Sequence, residues 1–151
     1  MSCLICERIQ WIEKEKNPYF VAELDTGYAV IGDHQYFKGY SLFLCKEHKS
    51  ELHMLRPTFK RTFLMEMSLV AEAVQKAFGA EKMNYELLGN GDSHMHWHLF
   101  PRKENDAPIK GPVWWVDRED MFAEEVKPAE DELEKLRDRL RAEIERLITA
   151  R

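Results

Sequence analysis

Three of the chain's six histidines fall in one short run, Ser93-His94-Met95-His96-Trp97-His98-Leu99-Phe100. Alternate side chains of an extended strand share a face, so His94, His96 and His98 point one way while Met95, Trp97 and Leu99 point the other. One side of such a strand is suited to chemistry and the other to a core. Three readings are open for the imidazole face: a polar surface that merely carries histidines, which strict alternation argues against; a catalytic metal ion shared by all three rings; or a division of labour in which one ring nitrogen attacks a substrate while its neighbours bind metal or phosphate. A second motif, Cys3-Leu4-Ile5-Cys6, has the spacing with which two thiolates hold one tetrahedral zinc. Two more ligands must then come from elsewhere, and His34, His48, His53 and His94 are the candidates. A redox dithiol is the competing reading, but the strand-to-helix context of a thioredoxin-like motif is missing. Cys45 makes the cysteine count odd, which disfavours a disulfide framework, and it reads as a buried apolar side chain.

The elements that must hold these groups are short strands and two helices. The runs "YFVAEL" and "YAVIG", separated by Asp25-Thr26-Gly27, read as a hairpin, and "YSLFLC" (residues 40–45) as a third strand. From Thr58 to Phe78 apolar residues recur at Phe63, Met67, Val70, Val74 and Phe78, the spacing of a helix that Gly79 would end. "MNYELL" and "HMHWHLF" form a second hairpin across Gly89-Asn90-Gly91-Asp92, with Pro101 expected to end the histidine strand because it cannot donate to a ladder. "NDAPIKGPVWW" reads as a loop or extended arm anchored on the core by Trp114 and Trp115. From Pro128 onward, Leu133, Leu136, Leu140, Ile144 and Leu147 draw an apolar stripe along a highly charged helix, expected to dock within the subunit although pairing with a second copy is the alternative. The expected fold is α+β: an antiparallel sheet of about five strands, one long helix packed on it and a C-terminal amphipathic helix. Residues 1–127 would form the catalytic domain and 128–151 its helical extension.

At 151 residues, 44% hydrophobic and 32% charged, the chain has the composition of a soluble globular domain, with no run apolar enough to span a membrane. The N-terminus lacks the pattern of a secretory signal, which makes the cytoplasm the expected compartment. The net charge of -5 resides mostly in the last 35 residues, and no basic stripe exists to neutralise a nucleic-acid backbone. A small anionic ligand remains compatible with the nearly neutral remainder.

"HMHWHLF" resembles the His-φ-His-φ-His-φ-φ pattern (φ apolar) of the histidine-triad family of nucleotide hydrolases and transferases. The N-terminal Cys-x-x-Cys, the Lys-x-His of "CKEHKSEL", and the Gly-Asn and Pro-Arg that flank the triad in "GNGDSHMHWHLFPR" occur in the family's order, so the resemblance covers roughly residues 3 to 102. It implies that His96 is the nucleophile toward the α-phosphorus of a nucleoside phosphate, passing through a nucleotidyl-histidine intermediate. His98 would contact phosphate or leaving group, Asn90 and Ser93 would donate to phosphate oxygens, and Asp33 would accept from the ribose hydroxyls. Cys3, Cys6, His48 and His94 would hold a structural zinc, with no organic cofactor. The implied substrate is a dinucleoside polyphosphate, a phosphoramidate or another adenylylated compound, and the implied assembly a homodimer. This chain departs from many relatives in having Tyr40 after Gly39 where they have histidine, Cys45 where they have proline, and a four-residue turn in place of a longer Gly-rich loop. The alternatives are a non-catalytic nucleotide-binding adaptor and a metalloenzyme with all three triad histidines on one ion. His53 is expected at the surface without a role.

Overall fold

The computed structural model describes residues 2–151. In chain order the elements are α1 (Leu4–Glu13), β1 (Phe20–Glu23), β2 (Gly27–Ile31), β3 (Ser41–Cys45), α2 (Pro57–Phe78), β4 (Lys82–Glu86), β5 (His96–Arg102), α3 (Arg118–Met121) and α4 (Glu130–Ala150). The five strands form one antiparallel sheet in the order β1-β2-β3-β5-β4, which puts the histidine strand between β3 and β4. The α+β architecture expected from the sequence is the one observed.

One sheet face is covered by α2 and α4. Pro57 starts α2 in its first turn, where a missing N–H costs nothing. Gly79, at φ 65°, closes it in the left-handed region that glycine enters without strain. Phe63, Val70 and Val74 on its apolar side are fully buried with Phe43 and Leu99 from the sheet. Glu66 on the same helix is also fully buried. Its carboxylate accepts from the Asp25 and Thr26 amides at 3.0 and 2.8 Å and from the Thr26 hydroxyl at 2.5 Å, fastening the β1–β2 turn to α2. Along α4, Leu133, Leu136, Leu140 and Ile144 join this core. The stripe is therefore covered within the chain and no longer argues for pairing with a second copy. Arginines on α4 also complete the free edge beside β1: Arg137 donates to the Pro18 carbonyl at 2.9 Å and Arg141 to that of Val21 at 2.8 Å.

Three features differ from expectation. Helix α1 was not anticipated; Ile5 and Ile9, one turn apart and both buried, with Ile12 beside them, are the signal that carries it. Pro101 does not end its strand but lies within β5, paired with Met83. Pairing with β3 stops at Leu99, and the Arg102 carbonyl accepts from Glu81 on the β4 side, so the Pro101 nitrogen faces the side where no ladder continues. The arm after residue 102 is anchored by Val113, Val116 and Met121 against Phe37 and Phe100, while Trp114 and Trp115 stay 43% and 58% exposed. Among the described residues no helix is long and apolar enough to cross a membrane.

Candidate active site and metal centre

The sheet face opposite α2 carries a cavity of about 280 Å³, at the small end of the range for ligand sites. Its floor follows from the register: His98 sits beside Leu42 and His96 beside Leu44, and both imidazoles line the cavity together with Val30, Leu42 and Leu44. Trp97 and Leu99 turn into the core on the other side. Helix α1 supplies one wall with Leu4, Ile5 and Arg8, and the C-terminal arm contributes Trp114 and Phe122.

The two cavity imidazoles are set in different ways. His96 is 7% exposed, and its Nδ1 lies 2.7 Å from the His94 carbonyl. Only an N–H can meet a carbonyl there, so Nδ1 carries a proton and in the neutral ring the lone pair is on Nε2. His98 is half-buried, with its ring centroid 4.8 Å from that of His96 and its Nδ1 2.7 Å from the Tyr40 hydroxyl. Burial first, and then the charge of His96, lowers His98 to about 4, so its imidazole is neutral near pH 7.

Asp33 also lines the cavity, where Arg8 grips both carboxylate oxygens at 3.2 and 2.7 Å. This fork fixes the orientation of the carboxylate. Asn90 and Ser93 are not brought to the cavity. Both are exposed on the turn between β4 and β5, where left-handed Gly89 (φ 91°) reverses the chain, and Asp92 lines the cavity instead. Sequence reasoning missed Arg8, Tyr40 and Asp92. Only the place of Tyr40, before a strand that pairs with the triad strand, was available as a signal.

The third triad histidine faces another group. The ligand atoms of Cys3, Cys6, His48 and His94 all lie within 4.8 Å of one another. His94 Nδ1 is 3.5 Å from Cys3 Sγ, 3.4 Å from Cys6 Sγ and 3.1 Å from His48 Nδ1. Zinc bonds of about 2.0–2.3 Å at tetrahedral angles put ligand atoms about 3.3–3.8 Å apart, so the two sulfur edges fit one ion and the edge between the two imidazoles falls just short of that range. The outer contacts fit as well. His94 Nε2 is 2.7 Å from the Cys45 carbonyl and donates to it, which leaves the Nδ1 lone pair for the cluster. Cys3 caps α1 and accepts from the Cys6 amide at 3.3 Å, so the helix start sets the spacing of the two sulfurs. Burial, followed by the hydrogen bond and charge of Cys3, raises the Cys6 thiol, a cost that a bound cation would remove. Cys45 is fully buried, with its thiol pushed up to about 11, and contributes its backbone carbonyl, not its sulfur. Among the described residues this is the one such ligand group, so the three triad imidazoles do not converge on a single ion. His34 packs edge-on against Phe122, and His53 is exposed.

The fold has counterparts among known proteins. The chain is 27% identical over 112 residues to "Adenylylsulfatase HINT3" of Arabidopsis thaliana, an alignment that takes in 70% of this chain and 55% of the relative. It thus spans about half the length of that curated relative. Among solved structures, a histidine triad protein from Marinobacter aquaeolei VT8 superposes with a TM-score of 0.73 at 22% identity, over 85% of this chain and 89% of that one. A Zn-bound histidine triad family protein from Mycobacterium smegmatis gives 0.69 at 20% identity, over 100% and 99%. Such identities show a shared fold. The HIT domain model matches residues 13–105, well over half of the chain, and the protein belongs to the HIT domain family.

Proposed function

We propose that the protein is a nucleotide hydrolase or nucleotidyl transferase acting at the α-phosphate of a dinucleoside polyphosphate, a phosphoramidate or another adenylylated compound. The observation that carries the reading is the tautomer of His96. With Nδ1–H held by the His94 carbonyl, the Nε2 lone pair is the ring's free nucleophile in a cavity that His98 also lines. In the first step Nε2 forms a bond to the α-phosphorus while the bond to the leaving group breaks, its electron pair departing with that group. In the second, water forms the new P–O bond, the P–N pair returns to Nε2, and the water proton passes to solvent. A transferase uses another hydroxyl or phosphate in place of water.

His98 donates from Nε2–H to the phosphate or leaving group, and Asp33, oriented by Arg8, accepts from the ribose hydroxyls. Cys3, Cys6, His48 and His94 would hold zinc, which when bound supplies a structural tie and, with four protein ligands, no site for activating water. The ligand positions join α1, one cavity wall, to the strand that carries His96.

The test is rapid denaturing quench at alkaline pH, where a P–N bond to histidine survives, of the enzyme mixed with adenylyl sulfate, followed by mass spectrometry of the peptide containing His96. The reading expects a nucleotidyl adduct on that residue, and expects His96→Ala to lower turnover about 10³-fold or more while still binding the nucleotide product. Wild-type turnover in His96→Ala would refute it.

A further inference from the structure

Tyr40 immediately precedes β3, and its hydroxyl lies 2.7 Å from His98 Nδ1. Its ring stacks on Phe100 with centroids 4.2 Å apart and planes 6° apart, and the His98 ring is nearly parallel to both, at 10° and 6°. Gly32 makes room for the phenol, because a Cβ there would collide with the Tyr40 ring. Among the described residues, His98 Nδ1 is the partner of this hydroxyl. A phenol packed into the protein must donate its hydrogen bond, so Nδ1 accepts and the proton of neutral His98 resides on Nε2. Burial pushes the Tyr40 phenol upward, so it retains its proton, while burial of His98 keeps that ring from gaining a second one near neutrality.

We infer that Tyr40 locks His98 as a neutral Nε2–H donor, and that the protein therefore selects substrates whose leaving group departs from the α-phosphorus as a stable oxyanion: mixed or phosphoric anhydrides, not phosphoramidates. The inference rests on the proposed reaction and narrows its substrate class. When His96 Nε2 displaces a sulfate, phosphate or carboxylate, the P–O pair leaves with the oxygen and no proton has to move. His98 donates a hydrogen bond to that oxygen and keeps its proton. An amine leaving group is different, because breaking its P–N bond requires a proton on nitrogen. Neutral His98 could supply one only by becoming an imidazolate, and the Tyr40 phenol beyond it could pass one on only by becoming a phenolate. The other ionisable groups nearby are engaged or apart: Asp33 is gripped by Arg8, His34 faces Phe122, and Glu86, the cross-strand neighbour of His98, accepts from Trp114 Nε1. Asp92 stands on the loop ahead of β5, and none of the four hydrogen-bonds to His98.

The experiment compares adenylyl sulfate with adenosine phosphoramidate on the full-length protein and reads the His98 tautomer by nitrogen NMR of isotope-labelled histidine. The expected result is a kcat/KM for adenylyl sulfate about 100-fold or more above that for the phosphoramidate, the contribution of a missing general acid, and a His98 signal protonated at Nε2. Tyr40→Phe keeps the ring stack and removes the hydroxyl. It should move the His98 signal to a tautomer mixture and lower kcat for adenylyl sulfate about tenfold with KM held, as loss of a transition-state contact does. Comparable turnover of the two substrates overturns the inference and leaves the proposed function standing, whereas turnover of neither these two nor a dinucleoside polyphosphate overturns both. A wild-type His98 signal protonated at Nδ1, or one that Tyr40→Phe leaves unchanged, also overturns it.

Discussion

Acidification should expose the cost of keeping His98 neutral inside the fold. Its ordinary value of 6.5 is lowered to about 4, with burial the largest cause and the charge of His96 the second. Between those values the unfolded chain binds a proton that the native chain refuses. Stability is therefore fully present above the unfolded value, is lost as pH falls through the window, and levels off below about 4. At about 1.36 kcal/mol per pKa unit, moving from about pH 7.5 to 4.5 removes about 2–3 kcal/mol through this residue alone. With a urea slope of about 2 kcal/mol/M, that is about 1 M in the unfolding midpoint. His98→Asn is the control, because its side-chain oxygen can accept from Tyr40 in place of Nδ1 but does not titrate. Urea unfolding followed by circular dichroism at both pH values gives the midpoint change for each protein. Loss of metal at low pH cancels in the comparison, since both proteins keep Cys3, Cys6, His48 and His94. The wild type should lose about 1 M more than the variant; equal losses would show that His98 is not held neutral by its surroundings, and the reasoning would fail.

Two further outcomes follow from the cluster and the core. Stripping metal with a strong chelator, or replacing Cys6 by serine, should lower Tm by about 10 °C, from about 4 kcal/mol at a thousandfold excess of metal over its dissociation constant and 2–4 °C per kcal/mol for a chain of this size. Calorimetry with elemental analysis checks it, and a wild-type protein that binds no zinc at any stoichiometry would contradict the assignment. Glu66→Gln should cost about 2 kcal/mol, because an amide that keeps its oxygen toward Thr26 turns its own donors toward the Asp25 amide that the carboxylate now satisfies. An unchanged urea midpoint would mean that the β1–β2 turn is held by other contacts.

The alternation from His94 to Phe100 was sufficient to read a strand with one chemical face, and the three- and four-residue spacing from Phe63 to Phe78, closed by Gly79, was sufficient to read α2. Both signals are local: the period of the backbone dictates which neighbours share a side, and that period is written in consecutive residues. The cysteine pair was legible for the same reason, as a half-site whose other half could be any of several histidines. The family resemblance selected His48 and His94, and the fold brings those two to the sulfurs across separations of 42 to 91 residues. Other juxtapositions had no local signature at all. Tyr40 meets His98 across 58 residues because β3 pairs with β5 in one particular register, and Arg8 meets Asp33 because α1 packs beside the end of β2. Asn90 and Ser93 lie off the cavity lining, because a turn's composition reveals that the chain reverses, not which way its side chains look afterwards. Sequence spacing by itself determined which groups could act and on which face of their own element. Strand order, register and helix docking decided which distant groups they meet, since those depend on how the whole chain buries its apolar surface.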